Sequence, residues 1–231
     1  MSGFDDYIDA EIVAAPAWYQ LAVMVNDGSG SMTLQVNSGA SAEGDVPHGT
    51  KAAAVDIAVR MLVKEMQEGR SSENYHFAFV SFNTMVTDAR PPRKLAEIPR
   101  DETFDPTAHG TGGTAIYKGL EAAASIVEAY LQTGQAQELP VSAVVAVMSD
   151  GEENSDVQQT QRIAERIRGL RNTSLAACLF ATRDQPAAGG SLLASIVSEP
   201  RLFQHVYDAA GLRKFFKDSI TASRPALPPG Q

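Results

Sequence analysis

A run of apolar residues that stops abruptly at a glycine-rich turn sets the tightest limit on the fold of this chain. Leu21–Val25 are all apolar, and the sequence DGSGS follows after one further residue, at 27–31. An apolar run of this length, closed by such a turn, is typical of a buried β-strand. Strands that read as continuous apolar runs belong to parallel sheets covered by helices on both faces.

Alternating strands and helices continue along the rest of the chain. The predicted strands are 18–26, 75–82, 141–148, 175–181 and 203–207, and the predicted helices are 50–69, 115–131, 157–170, 191–197 and 212–222. This alternation indicates parallel βαβ units. We therefore expect a doubly wound α/β domain with a mostly parallel sheet and helices on both faces.

One predicted strand pair departs from the parallel pattern. Asn83 and Thr84 form a tight turn between the aromatic-rich strand and 85–87, which predicts an antiparallel hairpin at the edge of the sheet. The prolines of 91–106 predict a connector with at most short structure. We expect one domain, 17–223, after an acidic lead-in at residues 1–16 and before a disordered proline-rich tail at residues 224–231.

Three turns rich in glycine and hydroxyl groups lie where such a sheet would bind a ligand. They are D-x-S-x-S at 27–31, GGT at 112–114 and SDG at 149–151. In doubly wound sheets, ligands bind at the carboxyl ends of the strands. The D-x-S-x-S spacing lets one carboxylate and two hydroxyls face a single point, and ligands that are all oxygen suit a hard cation such as Mg²⁺.

These three segments, in this order, resemble the metal-ion-dependent adhesion site of the von Willebrand factor A domain. The resemblance covers 17–223 and is closest to the intracellular bacterial type, similar to tellurium-resistance and stress-associated proteins. It implies that the two serines and the threonine contact the ion directly, while the aspartates often act through water. The metal ligands that it implies are Asp27, Ser29, Ser31, Thr114 and Asp150.

The resemblance also implies a function. A bound Mg²⁺, or Mn²⁺, would leave one coordination position for an Asp or Glu carboxylate of a protein partner. The chain would then be a metal-dependent protein-interaction module in a bacterial stress-response or signalling assembly, rather than an enzyme. A metal-free structural scaffold remains an alternative.

Three features depart from the family pattern. Asn26 stands where the family usually has an apolar residue, and Gly28 stands where relatives commonly have a larger one. Neither removes a ligand, and we expect both to loosen the turn. The polar segment 33–49 is longer than the usual join to the first helix, and it either shapes partner choice or is a surface insertion.

Competing enzyme classes lack essential residues. A phosphatase of the haloacid dehalogenase type needs a nucleophilic aspartate two positions before Asp27, where this chain has Val25. Only a fragment of the P-loop motif is present in this chain, at 49–51. A dinucleotide-binding turn begins at 28–30 but has Thr33 where its third glycine belongs. No general base paired with a nucleophile is evident.

Composition and charge narrow the possible partners and the compartment. The formal net charge of -9 argues against binding to nucleic acid. The single cysteine, Cys178, lies in an apolar run and is expected to be a buried, inert thiol. The acidic start lacks the features of a signal peptide, and no apolar run is long enough to span a membrane, so we expect a cytoplasmic protein. His109 and 152–153 are expected to be solvated neighbours of the site.

Overall fold

A computed structural model describes residues 17–36, 49–133, 138–151, 156–181 and 190–223. Its strands are β1 (Tyr19–Asp27), β2 (Tyr75–Phe82), β3 (Val86–Lys94), β4 (Val141–Ser149), β5 (Thr173–Phe180) and β6 (Phe203–Val206). Its α-helices are α1 (Lys51–Gln67), α2 (Ile116–Leu131), α3 (Val157–Arg168), α4 (Gly190–Ile196) and α5 (Ala209–Ala222).

The strands form one sheet in the order β3-β2-β1-β4-β5-β6. All neighbouring pairs are parallel except β2 and β3, which are antiparallel. This confirms the predicted doubly wound α/β fold with an antiparallel edge. The order reverses between β1 and β4, and this is the point at which doubly wound sheets bind their ligands.

The sheet is the core of the domain because its central strands are buried along their whole length. Every residue of β2 and β4 is buried, as is every residue of β1 after Tyr19. This burial explains the continuous apolar runs in the sequence. Cys178 in β5 is fully buried as predicted, and its burial raises the pKa of the thiol well above the ordinary value.

The prediction for 91–106 is wrong in its first part, because β3 continues through Pro91 and Pro92 to Lys94. A proline cannot donate a hydrogen bond to a neighbouring strand, but it is tolerated on an edge strand, where one side needs no partner. β3 is such an edge strand, since only β2 pairs with it. The remaining helix and strand boundaries differ from the predicted ones by a few residues at most.

Helix α2 lies unusually close to the sheet beneath the predicted site. A Cβ atom added at Gly119 would lie 2.5 Å from the Phe82 ring and 2.8 Å from Val25. Only glycine permits this approach, and it holds the start of α2 against the carboxyl ends of β1 and β2. The turn that contains Thr114 is therefore brought to the edge of the sheet where β1 ends.

Several predictions fall outside the described residues. These are the lead-in 1–16, the tail 224–231, most of the segment 33–49, and the acidic pair 152–153. Among the helices that the structure describes, none is both long enough and apolar enough to cross a membrane.

Candidate metal site

Asp27 is the last residue of β1, and it ties two loops together. Its side chain is fully buried. The backbone N–H of Ser29 donates to Oδ1 at 2.7 Å, and the Ser149 hydroxyl donates to Oδ2 at 2.7 Å. Both carboxylate oxygens are therefore engaged in holding the loops after β1 and β4, which suits a carboxylate that acts on an ion indirectly.

A row of oxygen atoms runs from the first loop to the loop after β4. The hydroxyls of Ser29 and Ser31 share a hydrogen bond of 3.0 Å, and the Ser31 hydroxyl donates to Asp150 Oδ1 at 2.7 Å. Neighbouring ligands in an octahedral Mg²⁺ shell lie about 3.0 Å apart when each is about 2.1 Å from the ion. The spacing of these oxygens therefore fits a hard divalent cation, and the exposed Ser31 opens the row to solvent.

The other oxygen of Asp150 bonds to a residue that sequence reasoning missed. Lys51 Nζ donates to Asp150 Oδ2 at 2.6 Å, and the two side chains are 3% and 0% exposed. Lys51 is the first residue of α1, where the helix dipole disfavours a positive charge. That unfavourable position was the one sequence signal that could have singled it out.

Burial also changes the acidity of Asp27. The loss of hydration raises its pKa, the hydrogen bonds from Ser149 and Ser29 lower it, and the negative charge of Asp150 raises it, so that the net change is from 3.8 to about 6. Asp150 has the Lys51 ammonium as a partner, whereas Asp27 has only hydrogen bonds. The two carboxylates of the site therefore differ in how their negative charge is compensated.

Thr114 lies in the second loop, which is bonded to the first. The N–H of Gly30 donates to the carbonyl of Gly112 at 2.9 Å, and the N–H of Ala115 donates to the carbonyl of Asn83 at 2.9 Å. Thr114 is 5% exposed. The structure thus joins four of the predicted site residues in one hydrogen-bonded network and places Thr114 in an adjoining loop.

The two departures in the first loop have different consequences. Gly28 donates its N–H to the Phe82 carbonyl at 2.6 Å, and an added Cβ would lie 2.3 Å from the Pro106 carbonyl oxygen. The turn is therefore closely packed at Gly28, not loosened. Asn26 is fully buried, and neither polar atom of its side chain has a hydrogen-bond partner among the described residues.

The donor set distinguishes between kinds of metal. Within the described part of the chain, no group of three or more His, Cys, Asp or Glu residues is placed to hold an ion. The candidate site instead combines hydroxyls with two carboxylates, and oxygen donors of this kind suit Mg²⁺ or Mn²⁺ better than softer metals. No described hydrogen bond or ion pair joins His109 to the site.

No family model matches this chain, and no curated protein matches it either. Solved structures do resemble it. The pilus adhesin SpaC from Lactobacillus rhamnosus GG is 13% identical with a TM-score of 0.68, over 90% of this chain and 31% of SpaC. The von Willebrand factor type A structure from Catenulispora acidiphila is 17% identical with a TM-score of 0.60, over 89% of this chain and 43% of that one.

A third solved structure carries a metal. Proximal thread matrix protein 1 from the mussel byssus, with its metal-ion-dependent adhesion site occupied by zinc, is 17% identical with a TM-score of 0.54, over 90% of this chain and 48% of that one. This chain thus spans about a third to a half of the length of these three structures. At such identities the likeness shows the fold, which is that of von Willebrand A domains.

Proposed function

We propose that this domain binds Mg²⁺, or Mn²⁺, and through the ion binds an Asp or Glu carboxylate of a protein partner. The residues that would hold the ion are Asp27, Ser29, Ser31, Thr114 and Asp150. The row of oxygens from Ser29 through Ser31 to Asp150 carries this proposal, because its spacing fits an octahedral shell. When bound, the ion supplies a positive charge at the exposed end of the row.

The roles of the ligands follow from their existing contacts. The Ser29 and Ser31 hydroxyls are neutral and can turn an oxygen to the ion, so they are the direct ligands of the proposal. Asp27 already uses both oxygens to hold the loops, so its charge acts on the ion from behind them. Neutral direct ligands leave the ion electron-poor, which favours the capture of a carboxylate from outside.

Two structural neighbours support a role in protein interaction. SpaC is described as a pilus adhesin, and the mussel protein is described as a matrix protein with zinc at its adhesion site. The first name supports a role in adhesion and the second supports a metal at this place in the fold, and the combination of the two in this chain is our proposal. A cytoplasmic compartment and a stress-response or tellurium-resistance setting belong to the proposal through the sequence resemblance alone.

Catalysis is not part of the proposal. The position that would hold a phosphatase nucleophile is Val25, which is fully buried. The hydroxyls of Ser29 and Ser31 bond to each other and, from Ser31, to Asp150, and the described bonds of these two serine hydroxyls include no histidine. The metal-free scaffold is the remaining alternative, and the experiment below separates it from the proposal.

Calorimetric titration of metal-stripped protein with MnCl₂ and MgCl₂ tests the metal site. The wild type should show saturable binding, and Ser31→Ala and Thr114→Ala should each weaken it by at least about tenfold. Thr33→Ala is the matched control, because its hydroxyl lies in the same loop and donates to the Gly30 carbonyl, away from the row of oxygens. Thr33→Ala should bind metal as the wild type does.

The partner arm uses the same variants. Proteins retained by the immobilised domain in Mg²⁺ should be released by EDTA and should not be retained by Ser31→Ala. If the wild type binds neither metal, and if EDTA does not release the proteins that the immobilised domain retains, the domain is a metal-free scaffold.

A further inference from the structure

The contact between Lys51 and Asp150 places a second cation inside the proposed metal site. The ammonium bonds to Oδ2 at 2.6 Å, while Oδ1 of the same carboxylate accepts a hydrogen bond from Ser31. The lysine side chain is 3% exposed, so solvent does little to screen its charge. Exposed lysines bond to carboxylates on most protein surfaces. A lysine as deeply buried as Lys51 is rare, and a buried lysine is almost always paired with an opposite charge.

We propose that the positive charge of Lys51 weakens the binding of the metal when no partner is present. The same charge makes the binding of the metal and of an acidic partner cooperative. This inference rests on the proposed metal site and concerns how that site is regulated. Lys51 is a positioning residue in this proposal, because it acts on the ion through Asp150 and has no contact with Ser29 or the hydroxyl of Ser31 among the described bonds.

The balance of charge gives the physical reason. With Asp27 ionised, two carboxylates and one ammonium leave the site with a single net negative charge. A divalent ion would change that to a single positive charge beside the Lys51–Asp150 pair, whose side chains are 3% and 0% exposed, and an uncompensated charge is unfavourable there. One carboxylate from a partner then makes the site neutral. Without Lys51 the metal alone would reach neutrality, and a partner carboxylate would add an uncompensated negative charge.

The geometry makes the repulsion direct. Lys51 bonds to Oδ2 of Asp150, and the serine hydroxyls that would hold the ion adjoin Oδ1 through Ser31, so an ion and the ammonium would share the negative charge of one carboxylate. Like charges a few ångströms apart in a poorly screened site repel strongly. A charge that lowers the affinity for the ion alone, but not the affinity for the ion together with a carboxylate, makes each of the two ligands increase the affinity for the other.

A purely structural ion pair makes a different prediction. If Lys51 only holds the loop after β4 in place, its removal disorders Asp150 and weakens metal binding. If Lys51 opposes the ion, its removal strengthens metal binding even as the metal-free protein loses stability. The sign of the change in metal affinity therefore separates the two roles.

The test measures Mn²⁺ binding by calorimetry to the wild type, Lys51→Gln, Lys51→Met and the control Lys64→Met. Glutamine keeps a hydrogen-bond donor for Asp150 without the charge, so it remains informative if Lys51→Met does not fold. Lys64→Met makes the same charge change on the same helix, about 20 Å further along α1. We expect Lys51→Gln or Lys51→Met to bind Mn²⁺ at least about tenfold more tightly, and Lys64→Met to match the wild type.

The carboxylate arm repeats the titration with sodium acetate, against sodium chloride at the same ionic strength. Acetate should tighten Mn²⁺ binding to the wild type more than to Lys51→Gln. Folded Lys51→Gln that binds Mn²⁺ no more tightly than the wild type, or equal effects of acetate on both, overturns this inference while leaving the metal site intact. No saturable binding by any of the four proteins overturns the metal site as well.

Discussion

The two ends of strand β4 each carry a buried serine, and their surroundings differ sharply. Ser149, at the carboxyl end, donates to Asp27 Oδ2 at 2.7 Å. Ser142, near the amino end, is 2% exposed, and its hydroxyl has no hydrogen-bond partner among the described residues. In β1, both oxygens of Asp27 are bonded, whereas Gln20 bonds only through its amide nitrogen, to the Ile220 carbonyl. Asn26 is the exception at the carboxyl end, because neither polar atom of its buried side chain has a described partner.

The difference shows where buried polarity has been organised. An unpaired buried hydroxyl or carbonyl lowers stability, whereas a bonded network in a weakly polar interior can hold a fixed geometry. At the amino end the polar groups are few and partly unsatisfied. At the carboxyl end, apart from the unbonded side chain of Asn26, they converge on two carboxylates and connect the loops after β1 and β4, which is the arrangement that a binding site needs.

The largest expected effect comes from removing the carboxylate that pairs with Lys51. Asp150→Ala should lower the free energy of unfolding by about 3–5 kcal/mol, because it leaves a buried ammonium without its partner. Glu199→Ala is the control, since its pair with Arg201 is exposed, and it should cost less than about 1 kcal/mol. Urea unfolding in EDTA measures both. Equal losses would mean that the carboxyl end does not depend on this pairing.

The next effect is a pH dependence that belongs to Asp27. Its pKa is about 6 in the folded protein and 3.8 in the unfolded chain, so between these values the folded state binds more protons. Stability due to this group therefore falls as pH rises from 4 to 7, by about 2 kcal/mol.

Asp27→Asn isolates that contribution, because asparagine keeps the shape and the acceptor for the Ser29 N–H but does not titrate in this range. Unfolding curves at pH 4, 5, 6 and 7, without metal, should show the wild type losing stability relative to Asp27→Asn. Parallel curves would show that Asp27 is not destabilised by burial. Saturating Mg²⁺ should reduce the difference, because the ion favours the ionised carboxylate.

The smallest effect tests the contrast between the two serines directly. Ser149→Ala should cost about 1.5–3 kcal/mol, because it removes a hydrogen bond to a charged group. Ser142→Ala should change stability by no more than about 0.5 kcal/mol, because its hydroxyl has nothing described to lose. Thermal unfolding of the two variants gives the answer, and a loss at Ser142 as large as at Ser149 would remove the distinction drawn here.

The sequence predicts the features of this fold that depend on local patterns. Continuous apolar runs mark β1 and β4 because both of their faces are buried. The glycine-rich turns mark the loops because only they allow close packing, as at Gly28 against Pro106. The resemblance names five ligands, of which four lie in one bonded network, but their metal role stays a prediction.

Other features depend on contacts between distant parts of the chain, which a local pattern does not encode. The start of β3 and its antiparallel pairing are predicted, but its continuation to Lys94 is not, because its prolines are acceptable only on an edge strand, and a strand's place in the sheet is a property of the whole fold. In the sequence, Lys51 stands out only as the last residue of the P-loop fragment at 49–51. Its partner Asp150 is 99 residues away, and no periodicity connects the two.

The segment between the first loop and α1 is closed at its base by the backbone. Gln35 and Thr50 form an antiparallel bridge, the N–H of Val36 donates to the Gly49 carbonyl at 3.0 Å, and the N–H of Lys51 donates to the Leu34 carbonyl at 3.0 Å. These bonds anchor residues 34–36 and 49–51 to each other within the described part of the domain. Because Ser31 and Lys51 are held by this anchored backbone, we expect a peptide exchanged for residues 37–48 to leave metal binding unchanged, so that recognition can be altered separately from the metal.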